Sequence, residues 1–396
     1  MFEGLLELRI AKDTSFMVIG ALISQFIGLI LGVFIRRELS VAAIGQWALI
    51  QTFLGYSNYS GFILDGAFRE APMKRGMGDY DGASASISAA LTFSLGVAIL
   101  ISLLAIPLAY KFGGIVLVFS GLNILQRLNN FSIENLYASK LFKKAGTLKV
   151  LSAIFNLVAT FILVLLMGIN GFYLAIALSF IFNIAYAGIP TRLNFDPMEI
   201  SRLLKISYFI ASVGFLHTLL MNIDRLFISR FIGIEALGRY TLATMASGFV
   251  LMLSNMFSAV LYPRILEAQG RGDGIAKYKL YPGLIIASIS FLAAILMWTI
   301  APWFTSTFIP QYTSGIPALR VMTISFIFIA LISQRNHIVL ALDRQGRMAV
   351  VYAIVIILAI PAYFLIGSLK LGIEYYAGIG LISFISIYLS QLWVTR

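Results

Sequence analysis

Phe34-Ile35-Arg36-Arg37 followed by Ile44-Gly45-Gln46-Trp47 recurs as Phe227-Ile228-Ser229-Arg230 followed by Leu237-Gly238-Arg239-Tyr240, an offset of 193 residues (227 against 34). Further matches hold the same order of parts. Lys74 to Asp79 answers Gln269 to Asp273, and Ser132-Ile133-Glu134-Asn135 with Lys143-Lys144-Ala145 answers Ser333-Gln334-Arg335-Asn336 with Arg344-Gln345-Gly346. A chain that repeats itself once over half its length reads as two look-alike lobes. In a membrane, such repeats place a substrate path at their interface.

The composition puts both copies in a bilayer. Of 396 residues, 60% are hydrophobic and only 12% charged, against about 25% charged in an ordinary soluble domain. Cys is absent and His occurs twice, which excludes disulfides, thiolate metal sites and redox dithiols. Apolar windows read as spans at 14–35, 41–64, 86–110, 113–139, 145–167, 170–190, 205–228, 235–262, 281–306, 315–341, 348–369 and 372–393. These windows are too long for barrel strands of ~9 to 11 alternating residues. The expected fold is therefore an all-α membrane protein of about twelve transmembrane helices in two six-helix parallel repeats. Residues 1–190 form the N-terminal lobe, 191–204 a cytoplasmic linker and 205–396 the C-terminal lobe.

Basic residues set the orientation. Twenty of the 29 Lys and Arg fall on one set of alternate loops and six on the other, with Arg127, Arg225 and Arg320 inside spans. By the positive-inside rule both termini are cytoplasmic, in a multi-pass protein of the plasma (inner) membrane. The net charge of +12 is accounted for by attraction to anionic lipids, and its scatter argues against nucleic acid as a partner.

Ionisable and polar groups inside spans are costly and usually face the bundle interior. The fourth span carries Ser120, Asn123, Arg127, Asn130 and Glu134 at steps of 3, 4, 3 and 4, which puts them on one helical face. The second carries Gln51, Asn58 and Asp65, with Arg69 one turn on; the seventh carries Thr218, Asn222 and Arg225 beside His217 and Asp224. His217 reads as a hydrogen-bonded interior residue, and Thr244, Ser247, Ser254 and Ser258 on the eighth span as close-packing positions. The ridge Gly20, Ser24, Gly28 and Gly32 reads as a site of close helix approach.

Ala42-Ala43-Ile44-Gly45-Gln46-Trp47 and Leu64-Asp65-Gly66-Ala67-Phe68-Arg69-Glu70, with Asn222 to Ile228, Leu237-Gly238-Arg239-Tyr240 and Tyr262-Pro263 in the second half, resemble Wzx-type polysaccharide flippases of the multidrug/oligosaccharidyl-lipid/polysaccharide (MOP) exporter superfamily. The resemblance implies transport of a polyprenyl-diphosphate-linked oligosaccharide by alternating access, coupled to H⁺ or Na⁺, with no other cofactor. Membrane lipids and polysaccharide assembly proteins are the implied partners.

That task needs a wet path for a diphosphate, whose unaided passage through hydrocarbon costs tens of kcal/mol on Born grounds. Arg127, Arg225, Arg320, Arg335 and Arg69 are the candidates for the anionic headgroup, since Arg pairs with phosphate bidentately. Gln51, Asn58, Asn123, Asn130 and Asn222 are the candidates for sugar hydroxyls, and Asp65, Glu134 and Asp224 for coupling or gating. Two rivals remain open: a cation-coupled multidrug exporter of the same fold, and a membrane glycosyltransferase or polysaccharide polymerase. The second would need a large loop bearing catalytic groups, and the loops between these spans are short. A non-enzyme is the expectation.

Overall fold

The computed structural model describes residues 2–59, 61–139, 141–189, 193–245, 248, 251, 276–342 and 344–395; the side chains of Asp65, Arg69 and His337 lie outside what it describes, as do Ser247, Ser254 and Ser258. The described residues are helical, with no strand among them. In chain order the helices are α1 (Phe2–Glu38), α2 (Val41–Tyr59), α3 (Ile63–Gly76), α4 (Tyr80–Ala105), the short α5 (Ala109–Phe112), α6 (Gly114–Ala138), α7 (Phe142–Ala187) and α8 (Pro197–Phe231). Then come α9 (helical over 234–245), α10 (Ala276–Phe308), α11 (Ile316–Ala341), α12 (Gln345–Ser368) and α13 (Ile373–Val394). Seven helices among the described residues are long and apolar enough to cross a membrane, and eight with the bent pair in α8. The expected all-α membrane fold is the one found.

Local chemistry explains where the helices depart from the expected spans. α7 runs unbroken through two of them by hydrogen bonding, yet Gly168 at φ 58°, ψ −131° is a backbone state that ends a helix, so the polypeptide turns there. Pro107 closes α4 in a 3₁₀ turn over Ile106–Leu108, as a residue without an N–H does. The second span, expected as continuous over 41–64, is instead broken: α2 stops at Tyr59 and α3 starts at Ile63. α8 is bent by 53° between Pro197–Phe209 and Ala211–Phe231.

Two compact units result, one of residues 1–39 with 53–211 and one of 40–52 with 212–396. The first extends beyond the 191–204 linker because the start of α8 is built to pack within it. Ile200, Leu203, Ser207 and Ala211 are all buried and, at steps of 3, 4 and 4, form one helical stripe. Ile200 and Leu203 join a core of Ile63, Ala67, Ala71, Ile87, Leu91 and Phe131. Ser207 Oγ accepts from the Gly66 N–H at 3.0 Å. Asp196 caps this helix, accepting from Met198 N at 3.0 Å and Glu199 N at 3.2 Å, with Pro197 in the first helical position where its missing N–H costs nothing.

Residues 40–52 belong to the second unit through a contact of backbone on backbone. A Cβ at Gly45 would collide with the Ile234 carbonyl, and one at Gly238 with the Val41 carbonyl. Since 45 and 41 map onto 238 and 234 at the offset of 193, each repeat presents the same glycine to the same carbonyl of the other. In hydrocarbon, where lipid is as apolar as Leu, such close approach of small residues is what holds helices together. Of the ridge on α1, Gly20 makes the expected approach, 2.9 Å from its Cβ position to the Gly146 carbonyl, whereas Gly28 faces open space.

Gly238→Val should therefore lower the melting temperature of the detergent-solubilised protein by several degrees, a cost of about 1–3 kcal/mol for overpacking. Gly28→Ala should leave it unchanged. Equal melting of both variants and the parent, read by differential scanning fluorimetry, would remove the glycine crossing.

Candidate functional site

In the first unit, the polar stripe of α6 turns toward α2 and α4. Ser120 and Ser102 exchange hydroxyl-to-carbonyl bonds of 3.1 and 3.0 Å. Asn123, 3% exposed, donates to the Ala98 carbonyl and Ser102 Oγ at 3.0 Å each and accepts from Ser57 Oγ at 2.6 Å. Arg127, also 3% exposed, donates from Nη1 to the Asn58 carbonyl at 2.5 Å and from Nη2 to the Ser57 carbonyl. Asn130 donates to Asn58 Oδ1 at 3.2 Å and accepts from Asn129, which in turn accepts from Asn183 at 2.8 Å. Glu134, the last member of the stripe, is exposed. Asn58, Asn123, Arg127 and Asn130 are thus brought together in a seam between helices. Asp65 and Arg69 lie on α3 with side chains outside the described residues, and Gln51 sits on an exposed face of α2.

In the second unit, Asp224 is 5% exposed; Tyr240 Oη donates to its Oδ2, and the Arg225 N–H to its Oδ1 at 2.7 Å. Arg225 is half-buried. Asp224, Arg225, Tyr240, Thr244 and Ser325 line a cavity of about 20 Å³, room for one water or a small cation. His217, two turns earlier on the same face of α8, meets Tyr352 Oη at 3.2 Å, as expected of a hydrogen-bonded interior residue. Asn222 turns back on its own helix, donating to the Thr218 carbonyl at 2.9 Å.

The remaining arginines go elsewhere. Arg320 is exposed, its guanidinium 5.6 Å from the Trp298 ring centroid, the arrangement of an interfacial anchor. Arg335 donates to Thr395 Oγ1 at 2.8 Å and lies over the Tyr388 ring. The structure brings Arg225 to the cavity and does not bring Arg320 or Arg335 there.

Sequence reading missed the ion cluster at the start of α8. Arg202 donates bidentately to Glu70 and, at 2.8 and 2.7 Å, to Glu199. Glu199 Oε1 also accepts from Ser86 Oγ at 2.5 Å and Lys74 Nζ at 3.2 Å. With about 20 residues needed to cross hydrocarbon, the 35-residue α8 extends past the bilayer here. The Arg202 hydrogen bonds, above all, hold the Glu199 carboxyl down from 4.5 to about 2 against the opposing cost of burial, with Ser86 and Lys74 assisting. The i, i+3 spacing of Glu199 and Arg202 was the one signal of it in the sequence.

No family model matches the chain, and no curated protein matches it. Solved structures do. An inward-facing multidrug resistance MATE family transporter of the MOP superfamily superposes with a TM-score of 0.74 at 15% identity, covering 94% of this chain and 93% of that one. A Vibrio cholerae MATE transporter gives 0.72 at 17%, covering 99% and 96%. An outward-facing multidrug resistance MATE transporter of the MOP superfamily gives 0.70 at 16%, covering 97% and 94%. The chain therefore has the MATE-like fold of MOP-superfamily transporters.

Because a carboxyl with a depressed pKa contributes stability above its unfolded value and loses it as pH falls through the folded one, the cluster should act over a defined window. The stability difference between the parent and Glu199→Gln should be constant above pH ~4.5 and vanish as pH approaches 2. Melting temperatures across that range check it; a difference that persists at pH 2 would exclude the carboxylate as its source.

Proposed function

We propose that the chain is a flippase that moves a polyprenyl-diphosphate-linked oligosaccharide from the inner to the outer leaflet of the plasma membrane by alternating access. Its fold supports a carrier reading, since proteins of that fold have been captured in inward- and outward-facing conformations. The observation that carries the choice of an anionic cargo is Arg225, a half-buried cation lining the unit-2 cavity. The carboxylate beside it, Asp224, accepts from Tyr240 and from the Arg225 backbone N–H, and among the described residues no hydrogen bond joins it to the Arg225 guanidinium, which faces the cavity. A phosphate oxygen is the partner its fork geometry fits.

Asp224 is the coupling group in this reading. Titrating it, or placing Na⁺ beside it in the cavity, would change the charge opposite Arg225 and so link an ion gradient to headgroup binding. Termini on the cytoplasmic side and polysaccharide assembly partners belong to the same reading. A cation-coupled multidrug exporter is the second reading, favoured by one observation: a buried carboxylate on a cavity of ion size.

Reconstitution into liposomes with a fluorescent polyprenyl-diphosphate oligosaccharide tests both. The parent should speed leaflet exchange, and Arg225→Ala should slow it about ten- to a hundredfold, the worth of a charge-assisted bond of ~1.5–3 kcal/mol. Arg225→Lys, lacking the fork, should fall between. Asp224→Asn should retain exchange while losing its dependence on a proton or sodium gradient. Gradient-driven export of an organic cation, with no lipid exchange by folded protein supplied with the correct glycan, would replace the leading reading with the second.

A further inference from the structure

The polar stripe of α6 has a use that neither cargo nor coupling ion supplies. In an unbroken second span, the Ser57 carbonyl would accept from Gly61 N and the Asn58 carbonyl from Phe62 N. Instead Gly61 N reaches the Asn58 carbonyl at 3.2 Å and Phe62 N the Tyr59 carbonyl at 3.2 Å, a tightening to i, i+3 bonds that ends α2. The two carbonyls affected by that change are the ones that receive the Arg127 guanidinium.

Three further features fit this arrangement. A Cβ at Gly61 would collide with Arg127 Nη1, so the residue at the break is the one that leaves room for the guanidinium. The C-terminal end of a helix carries about half a negative charge, which is the counter-charge that a buried cation needs. The residues so held are also those that point into the seam: Ser57 donates to Asn123, and Asn58 accepts from Asn130.

We infer that Arg127 is a positioning residue, the cross-helix cap that interrupts the second span between Tyr59 and Ile63 and fixes the register in which Ser57 and Asn58 meet α6, rather than a contact for the headgroup. Its planar fork bonds two successive carbonyls at once, which a lysine ammonium does less well. The inference bears on the proposed transport because α2 contributes residues 41–52 to one compact unit and 53–59 to the other, so its end is held by α6 within the first.

Backbone amide exchange by mass spectrometry in detergent, with no cargo added, is the primary test. Arg127→Ala should raise exchange over 57–64 by about tenfold or more while α12 and α13 stay protected, and Arg127→Lys should give an intermediate rise. Millimolar guanidinium should restore protection to Arg127→Ala, whereas methylammonium should not. In the liposome assay, Arg127→Ala should lower turnover and leave the apparent KM for the lipid-linked oligosaccharide within about twofold, with guanidinium recovering part of the loss.

Unchanged exchange over 57–64 in Arg127→Ala would overturn the inference. So would a KM rise without a turnover loss, the signature of a lost ligand contact. Should Arg127→Ala fail to fold, Arg127→Lys and Gly61→Ala carry the test, since a methyl at Gly61 displaces the guanidinium and should raise exchange over the same residues. If the parent flips no lipid, the proposed cargo fails, but the exchange and guanidinium results still decide the role of Arg127.

Discussion

Within a bilayer every backbone N–H and carbonyl must find its partner inside the protein, because lipid offers none. An interruption in a span therefore has to bring its own donors. The break after α2 does so with Arg127, and the cost of burying that cation, several kcal/mol for an unpaired ion even after relaxation, is offset by the carbonyls it caps. The same constraint accounts for the paired hydroxyls of Ser102 and Ser120 and for the asparagine series from Asn58 to Asn183. It also explains the crossing at Gly45 and Gly238, where helices without a hydrophobic drive between them rely on backbone proximity.

Outside the hydrocarbon the rules change, and the start of α8 shows it. There apolar burial does stabilise, at roughly 1.5–3 kcal/mol for a side chain the size of Leu203 or Ile200. Charges can be clustered because water shares their solvation. Glu70, Lys74, Ser86, Glu199 and Arg202 tie the first turns of α8 to α3 and α4, and the bend between Phe209 and Ala211 follows at once. The bend thus falls just beyond the segment that these charges and the buried Ile200, Leu203 and Ser207 anchor to α3 and α4.

This division decides what the sequence made legible. Hydropathy and the recurrence at 193 residues depend on composition and order alone, so the all-α fold and its repeats could be read without coordinates. The one-face stripe on α6 was legible for the same reason, since its spacing follows from helix geometry. What it faced was not. Arg127 as a headgroup contact and Arg127 as a cap require the same residue at the same place, and they differ only in whether the second span is continuous. Nothing in Ser57-Asn58-Tyr59-Ser60-Gly61 says that a guanidinium will donate to two successive carbonyls at the end of α2. Arg320 was ambiguous in a similar way, because an arginine within a turn of a span's end can reach inward or lie on a tryptophan at the interface, as it does on Trp298.

The two halves have also diverged in the kind of charge they bury. At the offset that aligns Gly45 with Gly238, Asp224 corresponds to Leu31 (224 − 193 = 31) and Tyr240 to Trp47, so the bonded carboxylate belongs to the second half alone. Arg127 donates from Nη1 and Nη2 to backbone carbonyls, and a guanidinium stays charged at any accessible pH, so it supplies a fixed positive charge rather than a responsive one. Asp224 is different in kind: its state depends on a proton, and it borders a cavity with Arg225. The duplicated fold keeps its reciprocal backbone crossing while confining the buried carboxylate and its neighbouring arginine to one copy. One unit buries a cation whose Nη1 and Nη2 donate to backbone carbonyls at a break in a span, and the other buries a carboxylate beside an arginine at a cavity.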